Sequence, residues 1–138
     1  MELEPQHSIN IGSLRFQAAV PFKLKNGNDS NGNYSWQWRA GQKKMADQAM
    51  ENIWISHDIG YDKEQPVVLI VTRVLGPRMR LWDADSVNRG NCKQLVDSFV
   101  QAGYLIDDGP KYVRLAIGNQ IDDQRDAGPK CTIISLYQ

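Results

Sequence analysis

The sequence predicts an α+β fold: a single domain whose mixed β-sheet carries two main helices on one face, in the order β-α-β-α-β-β. Three observations lead there. Two stretches repeat apolar residues at helical spacing, and four others alternate or run continuously in β-forming residues. No linker or internal repeat divides the 138 residues, and 15.7 kDa gives room for one ordinary core but hardly for two.

Residues 1–7 read as a disordered leader. Leu14, Phe16, Ala18 and Val20 then alternate with Arg15, Gln17 and Ala19, the period-two pattern of a half-buried strand. Residues 24–35 are dominated by Asn, Gly, Asp and Ser and read as a mobile loop, because such a stretch buries too little apolar surface to offset its ordering entropy. Trp36 and Trp38 would anchor its far end. From Gly41 onward Ala46, Ala49, Met50, Ile53 and Trp54 recur at amphipathic-helix spacing, with Trp54 expected in the core. Residues 66–75 are rich in Val, Ile and Leu between Pro66 and Gly76-Pro77, as in a mostly buried strand.

The second helix, expected over 86–102, has the clearest stripe: Cys92, Leu95, Val96, Phe99 and Ala102, with Gly103 as a C-terminal stop. Val113, Leu115 and Ile117 alternate with Arg114 and Ala116, and Thr132–Tyr137 is rich in β-formers, so two strands joined by a polar loop close the chain.

Composition removes several function classes. With 41% hydrophobic and 23% charged residues and a mean hydropathy of -0.50, the chain reads as a globular protein and not as a disordered one. The longest aliphatic run, Val67–Val71, is too short to cross a bilayer, and the acidic start lacks the pattern of a secretory signal. A cytoplasmic protein without membrane contact is expected. Cys92 and Cys131 are far apart and belong to no zinc-binding spacing, and both read as small packed hydrophobes. Sixteen basic and sixteen acidic residues cancel, which excludes attachment to nucleic acid by bulk positive charge. The charges are nevertheless concentrated: Arg73, Arg78, Arg80, Arg89 and Lys93 share a segment with Asp83, Asp85, Asp97, Asp107 and Asp108.

Asp83-Ala84-Asp85 places two carboxylates at i and i+2, roughly 7 Å apart on one side of an extended backbone. Asp107-Asp108 supplies a second pair in a turn. Like charges brought together need a cation or basic residues beside them, and all-oxygen ligation points to Mg²⁺ or Mn²⁺ in preference to zinc. A hard ion flanked by arginines and a lysine suits phosphodiester hydrolysis. The same residues also read as helix caps and polar turns, and Lys93–Asp97 as a small i,i+4 ion pair. A calcium loop counted from Asp83 fails, because Val87, Asn88 and Gln94 stand where Asp or Asn, Gly and Glu belong. His57-Asp58 has no nucleophile motif beside it. Trp82, adjoining the first carboxylates, is the tryptophan to test for stacking on an unpaired base.

The series Asp83-Ala-Asp85, Lys93-x-x-x-Asp97 and Ala102-Gly103-Tyr104-Leu105-Ile106-Asp107-Asp108 resembles the RusA family of Holliday junction resolvases, whose motif runs DxDN, lysine, aspartate, AG, DD. The similarity covers roughly residues 78–138. Earlier, only the order of elements is similar: a strand ending in Val20-Pro21-Phe22, an Asn-rich loop and a helix near 41–55. The resemblance implies a homodimeric, Mg²⁺-dependent endonuclease, with Mn²⁺ as substitute, that nicks opposing strands of a four-way DNA junction in recombination and repair, in a bacterial or phage-infected cell. It implies Asp83, Asp85 and Asp108 as catalytic metal-binding carboxylates with Asp107 beside them, and Lys93 as a catalytic residue at the phosphate. Asp97 matches a helix position that binds metal or orients Lys93. Arg73, Arg78, Arg80 and Arg89, with Lys93, would form a DNA-binding rim.

Two departures from the family pattern bear on function. Ser86 stands where the family often has asparagine, and about four extra residues separate Asp85 from Lys93, about one helical turn. The insertion would extend the helix start and keep Lys93 on its face, with Asn88 or Asn91 replacing the missing amide, or it would carry Lys93 out of reach. The second outcome describes a non-catalytic branched-DNA-binding relative. An α+β interaction module with purely structural carboxylates is the third reading.

Overall fold

The computed structural model describes residues 10–26, 35–122 and 131–138. The leader expected over 1–7, most of the loop expected over 24–35 and the polar stretch 123–130 lie outside the described residues. Where the start of that loop is described it is anchored: Leu24 is buried in the core.

Strand β1 (Leu14–Val20) follows the expected alternation, burying Phe16, Ala18 and Val20. Helix α1 (Trp36–Met50) differs from the expected span at both ends. It starts earlier because Ser35 is its N-cap, the hydroxyl oxygen accepting the N–H of Trp38 at 3.2 Å. It stops after Met50, where Glu51 and Asn52 donate to the carbonyls of Gln48 and Ala49, tightening the last turn into i→i+3 bonds. The apolar spacing through Ile53 and Trp54 is therefore not helical. Trp54–Asp58 forms a further strand, β2, antiparallel to β1, and Trp54 is 70% exposed where core burial was expected.

Strand β3 (Val67–Val74) is the continuous apolar run, followed by α2 (Cys92–Gln101), β4 (Val113–Ile121) and β5 (Thr132–Tyr137). The mixed sheet has the order β2-β1-β5-β3-β4, with β3 and β4 parallel and the other pairs antiparallel. A parallel pair needs a crossover, and α2 provides it. Because side chains alternate along a strand, Phe16, Ala18 and Val20 of β1, Leu69 and Val71 of β3, and Ile134 and Leu136 of β5 meet one side of the sheet. Ala46, Ala49 and Met50 of α1 and Leu95 and Phe99 of α2 complete the same core, so both helices cover that face. Gly103 adopts φ 94° just past α2, the left-handed stop that glycine allows. Among the described residues no helix is long and apolar enough to cross a membrane.

Helix α2 begins at Cys92, six residues later than expected, and 86–91 are turns. The extra residues before Lys93 therefore do not extend the helix. Gly90 sits at φ 67° with its α-carbon packed so closely on Lys25 that an added Cβ would lie 1.8 Å from the Lys25 carbonyl oxygen. Only glycine fits both demands.

Candidate functional site

The site is built from the two connections flanking α2. On the near side, Lys93 in the first turn of the helix donates to Asp97 at 2.9 Å, one turn on, and to Asp108 at 2.7 Å, in the connection leading to β4. The apolar face of α2 and the buried Leu105 fix these two backbones. Asp108 is pulled below the usual carboxylate range by the hydrogen bond from Lys93, and the Lys93 ammonium is pushed up by Asp108 first and Asp97 second. An ammonium has three donors, so one remains for an incoming oxygen. The pair borders a cleft of about 290 Å³ whose wall includes Leu69, Asn88, Cys92, Val96 and Ala116. Cys92 is packed there as expected, its thiol pushed up to about 12 by burial, which leaves it protonated and non-nucleophilic.

On the far side, Asp83 and Asp85 are exposed, and Asp85 accepts from Arg89 at 2.6 Å in an i,i+4 pair. Their segment is held by Gln120 of β4, whose side-chain amide accepts from the Trp82 N–H at 2.9 Å and donates to the Trp82 carbonyl at 3.0 Å. Arg73 lies under the same structure, 3.6 Å from the centre of the Trp82 ring, and donates to the Arg80 carbonyl and to Gln120. At 5% exposure Arg73 is part of this wall and not of a DNA-binding rim, which corrects the role expected of it. The Trp82 ring is half-buried with Arg73 stacked on it. Arg78, Arg80 and Arg89 are exposed, and Arg78 adopts φ 64°, uncommon for a residue with a Cβ.

Between the two sides, Val87 and Asn88 sit directly on Gly118 of β4, where an added Cβ would come within 2.8 Å of Val87 and 3.1 Å of Asn88. They separate the Lys93 cleft from a second one lined by Trp82, Ala84, Asn119 and Gln120. Ala116 of the first and Gly118 of the second are two strand residues apart, roughly 7 Å. Asp107, exposed beside Asp108, folds its carboxylate back over Gly109. The oxygen donors suit a hard cation chemically, yet as arranged they do not close a cage: among the described residues no three acidic, histidine or cysteine groups come together so as to hold a metal ion.

Asn88 lines the Lys93 cleft, whereas Asn91 does not. Asn91 is fully buried and clamps three segments: its carbonyl oxygen accepts from the Lys25 N–H at 2.7 Å, and its amide donates to the Lys23 carbonyl at 3.0 Å and to Gln42 of α1 at 2.9 Å. Gln42 and Gln120, which position the site from α1 and β4, gave no signal in the sequence, since their partners are backbone groups or amides far along the chain. Comparison with models of known protein families and with curated proteins gives no match for this chain.

Proposed function

We propose that this protein is a structure-specific DNA endonuclease of the RusA type that acts on four-way junctions or other branched DNA as a homodimer, with Mg²⁺ (or Mn²⁺) as its cofactor. One observation carries the reading: Lys93 reaches Asp108 at 2.7 Å, so that two parts of the motif 15 residues apart meet beside a cleft despite the insertion that precedes Lys93. Lys93 would neutralise charge developing on the phosphate, Asp97 and Asp108 would orient its ammonium, and exposed Arg78, Arg80 and Arg89 would hold flanking phosphates. Bound Mg²⁺ would supply a water of lowered pKa. The test compares a four-way junction, a fork and linear duplex with and without Mg²⁺. Paired nicks in the junction, dependent on the ion, are expected. Equal cleavage of all three substrates, or none, would refute the proposal.

A second reading, a non-catalytic binder of branched DNA, is favoured by the commitment of Asp85 to Arg89 and of Asp108 to Lys93. It predicts retarded junction complexes and intact strands in either metal. Calorimetry with Mn²⁺ separates the two, since only the nuclease reading requires heat of binding that Asp108→Asn removes.

A further inference from the structure

Lys23 and Lys25 belong to the chain that leaves β1, where Phe22 and Leu24 point into the core. Alternation puts Lys23 and Lys25 on the opposite side, Lys23 exposed and Lys25 half-buried, roughly 7 Å apart. Their backbone is fastened to the residues that open α2. The Asn91 side chain holds the Lys25 N–H and the Lys23 carbonyl, the Asn91 N–H donates to the Lys25 carbonyl at 3.1 Å, and Gly90 packs against that carbonyl. Arg89 and Lys93 flank this seam on the α2 side, with side chains 64% and 62% exposed. Among the described residues neither Lys23 nor Lys25 has a side-chain hydrogen bond or ion pair, whereas Arg89 and Lys93 are each balanced by a carboxylate. The uncompensated positive charge of this edge therefore lies on the β1 side, remote in sequence from the acidic motif but bonded to it through Asn91.

We infer that Lys23 and Lys25 form a second phosphate-binding element, continuous with Arg89 and Lys93, that takes the sugar-phosphate backbone of DNA past the candidate site. The inference rests on the DNA-directed reading above. Net neutrality makes such a local strip necessary, because a chain without excess positive charge must draw its electrostatic affinity from a few unpaired cations.

Junction binding in EDTA, titrated from about 50 to about 200 mM salt, tests it without any contribution from cleavage. Each phosphate contact adds about 0.9 to the slope of log affinity against log salt. Lys23→Gln with Lys25→Gln removes two contacts from each protomer of the proposed homodimer and is expected to lower that slope by about 3.6, so that wild type loses about 100-fold more affinity than the variant across the range. Lys23→Arg with Lys25→Arg keeps the wild-type slope. Thermal melting unchanged in both pairs is expected, since neither lysine side chain makes a hydrogen bond or ion pair among the described residues. A wild-type slope in the glutamine pair overturns the inference and leaves the DNA-directed reading standing. Failure of wild type to bind the junction at any of these salt concentrations overturns both.

Discussion

Asp108 and Asp85 carry the same carboxylate, and each meets a basic side chain at 2.7 and 2.6 Å, but the two contacts are of different kinds. Asp85 and Arg89 are four residues apart, and both side chains are about two-thirds exposed. Such a pair forms wherever the local turn brings its members together and contributes about 0.2–1 kcal/mol. Lys93 and Asp108 meet only because the core already fixes α2, through Leu95 and Phe99, and the following turn, through Leu105. The cost of closing that loop is met by apolar burial and not by the ion pair. The near contact reports on local sequence, while the distant one reports on the fold and places a cation at the mouth of a cleft.

Removing the distant cation is expected to have the largest effect. Under the nuclease reading Lys93→Met lowers the rate of junction nicking by about 10²–10³-fold, the loss typical of deleting one donor aimed at developing charge, while junction binding measured by gel shift weakens only by the phosphate contact that Lys93 supplies. Asp108→Asn and Asp85→Asn should each abolish nicking with binding intact, which would mean that Asp85 leaves Arg89 and joins Asp108 when DNA and ion are bound. Full activity in Asp85→Asn with loss in Asp108→Asn would instead confine the chemistry to the Lys93 side.

The clamp that aligns the two sides comes next in size. Asn91→Ala leaves the Lys25 N–H, the Lys23 carbonyl and Gln42 without their partner in a fully buried position. An unsatisfied buried group costs about 1–3 kcal/mol, so urea denaturation should show a loss of about 2–3 kcal/mol after partial relaxation. A change below about 0.5 kcal/mol would mean that the seam is held by other contacts. Gly118→Ala tests the bridge between the clefts. Its methyl group would overlap Val87 and Asn88, and overpacking of this kind costs about 1–3 kcal/mol.

The contrast between local and distant contacts also governs how much the sequence reveals. The α+β class, the β3 run and the α2 stripe are legible because each depends on periodicity within one element. The Lys93–Asp97 pair is legible for the same reason. Strand β2 is not, because Ile53 and Trp54 continue the helical spacing of α1, and only the open edge of β1 makes Trp54–Asp58 extended. The start of α2 is equally hidden, since the left-handed Gly90 is selected by contact with the Lys25 carbonyl, 65 positions away in the chain. At the site, the residue types that bear charge are readable, but their neighbours are not. Arg73 looks like a DNA-binding arginine until Trp82 and Gln120 are seen around it. The seat of Val87 and Asn88 on Gly118 is likewise hidden, since that glycine has no chemistry of its own.

The smallest expected effect concerns acid. Lys93 holds Asp108 below its unfolded value, which is near 3.9, so the contact stabilises the fold above that pH and is lost as pH falls through the lowered folded pKa. Asp47 is displaced in the same direction by Lys43 and Ser98 and contributes in the same acid window. Comparing wild type with Asp108→Asn isolates the first contribution: wild type should lose up to about 1 kcal/mol more stability than the variant between about pH 5 and about pH 2, a ceiling set by the 30% exposure of Asp108 and the 62% exposure of Lys93. Lys93 is displaced upward, so its share is fully present below its unfolded pKa and is lost only at strongly alkaline pH. Parallel acid profiles for the two proteins would show that Lys93 and Asp108 part readily in solution, and the distinction drawn from Asp85 and Arg89 would then rest on the cleft alone.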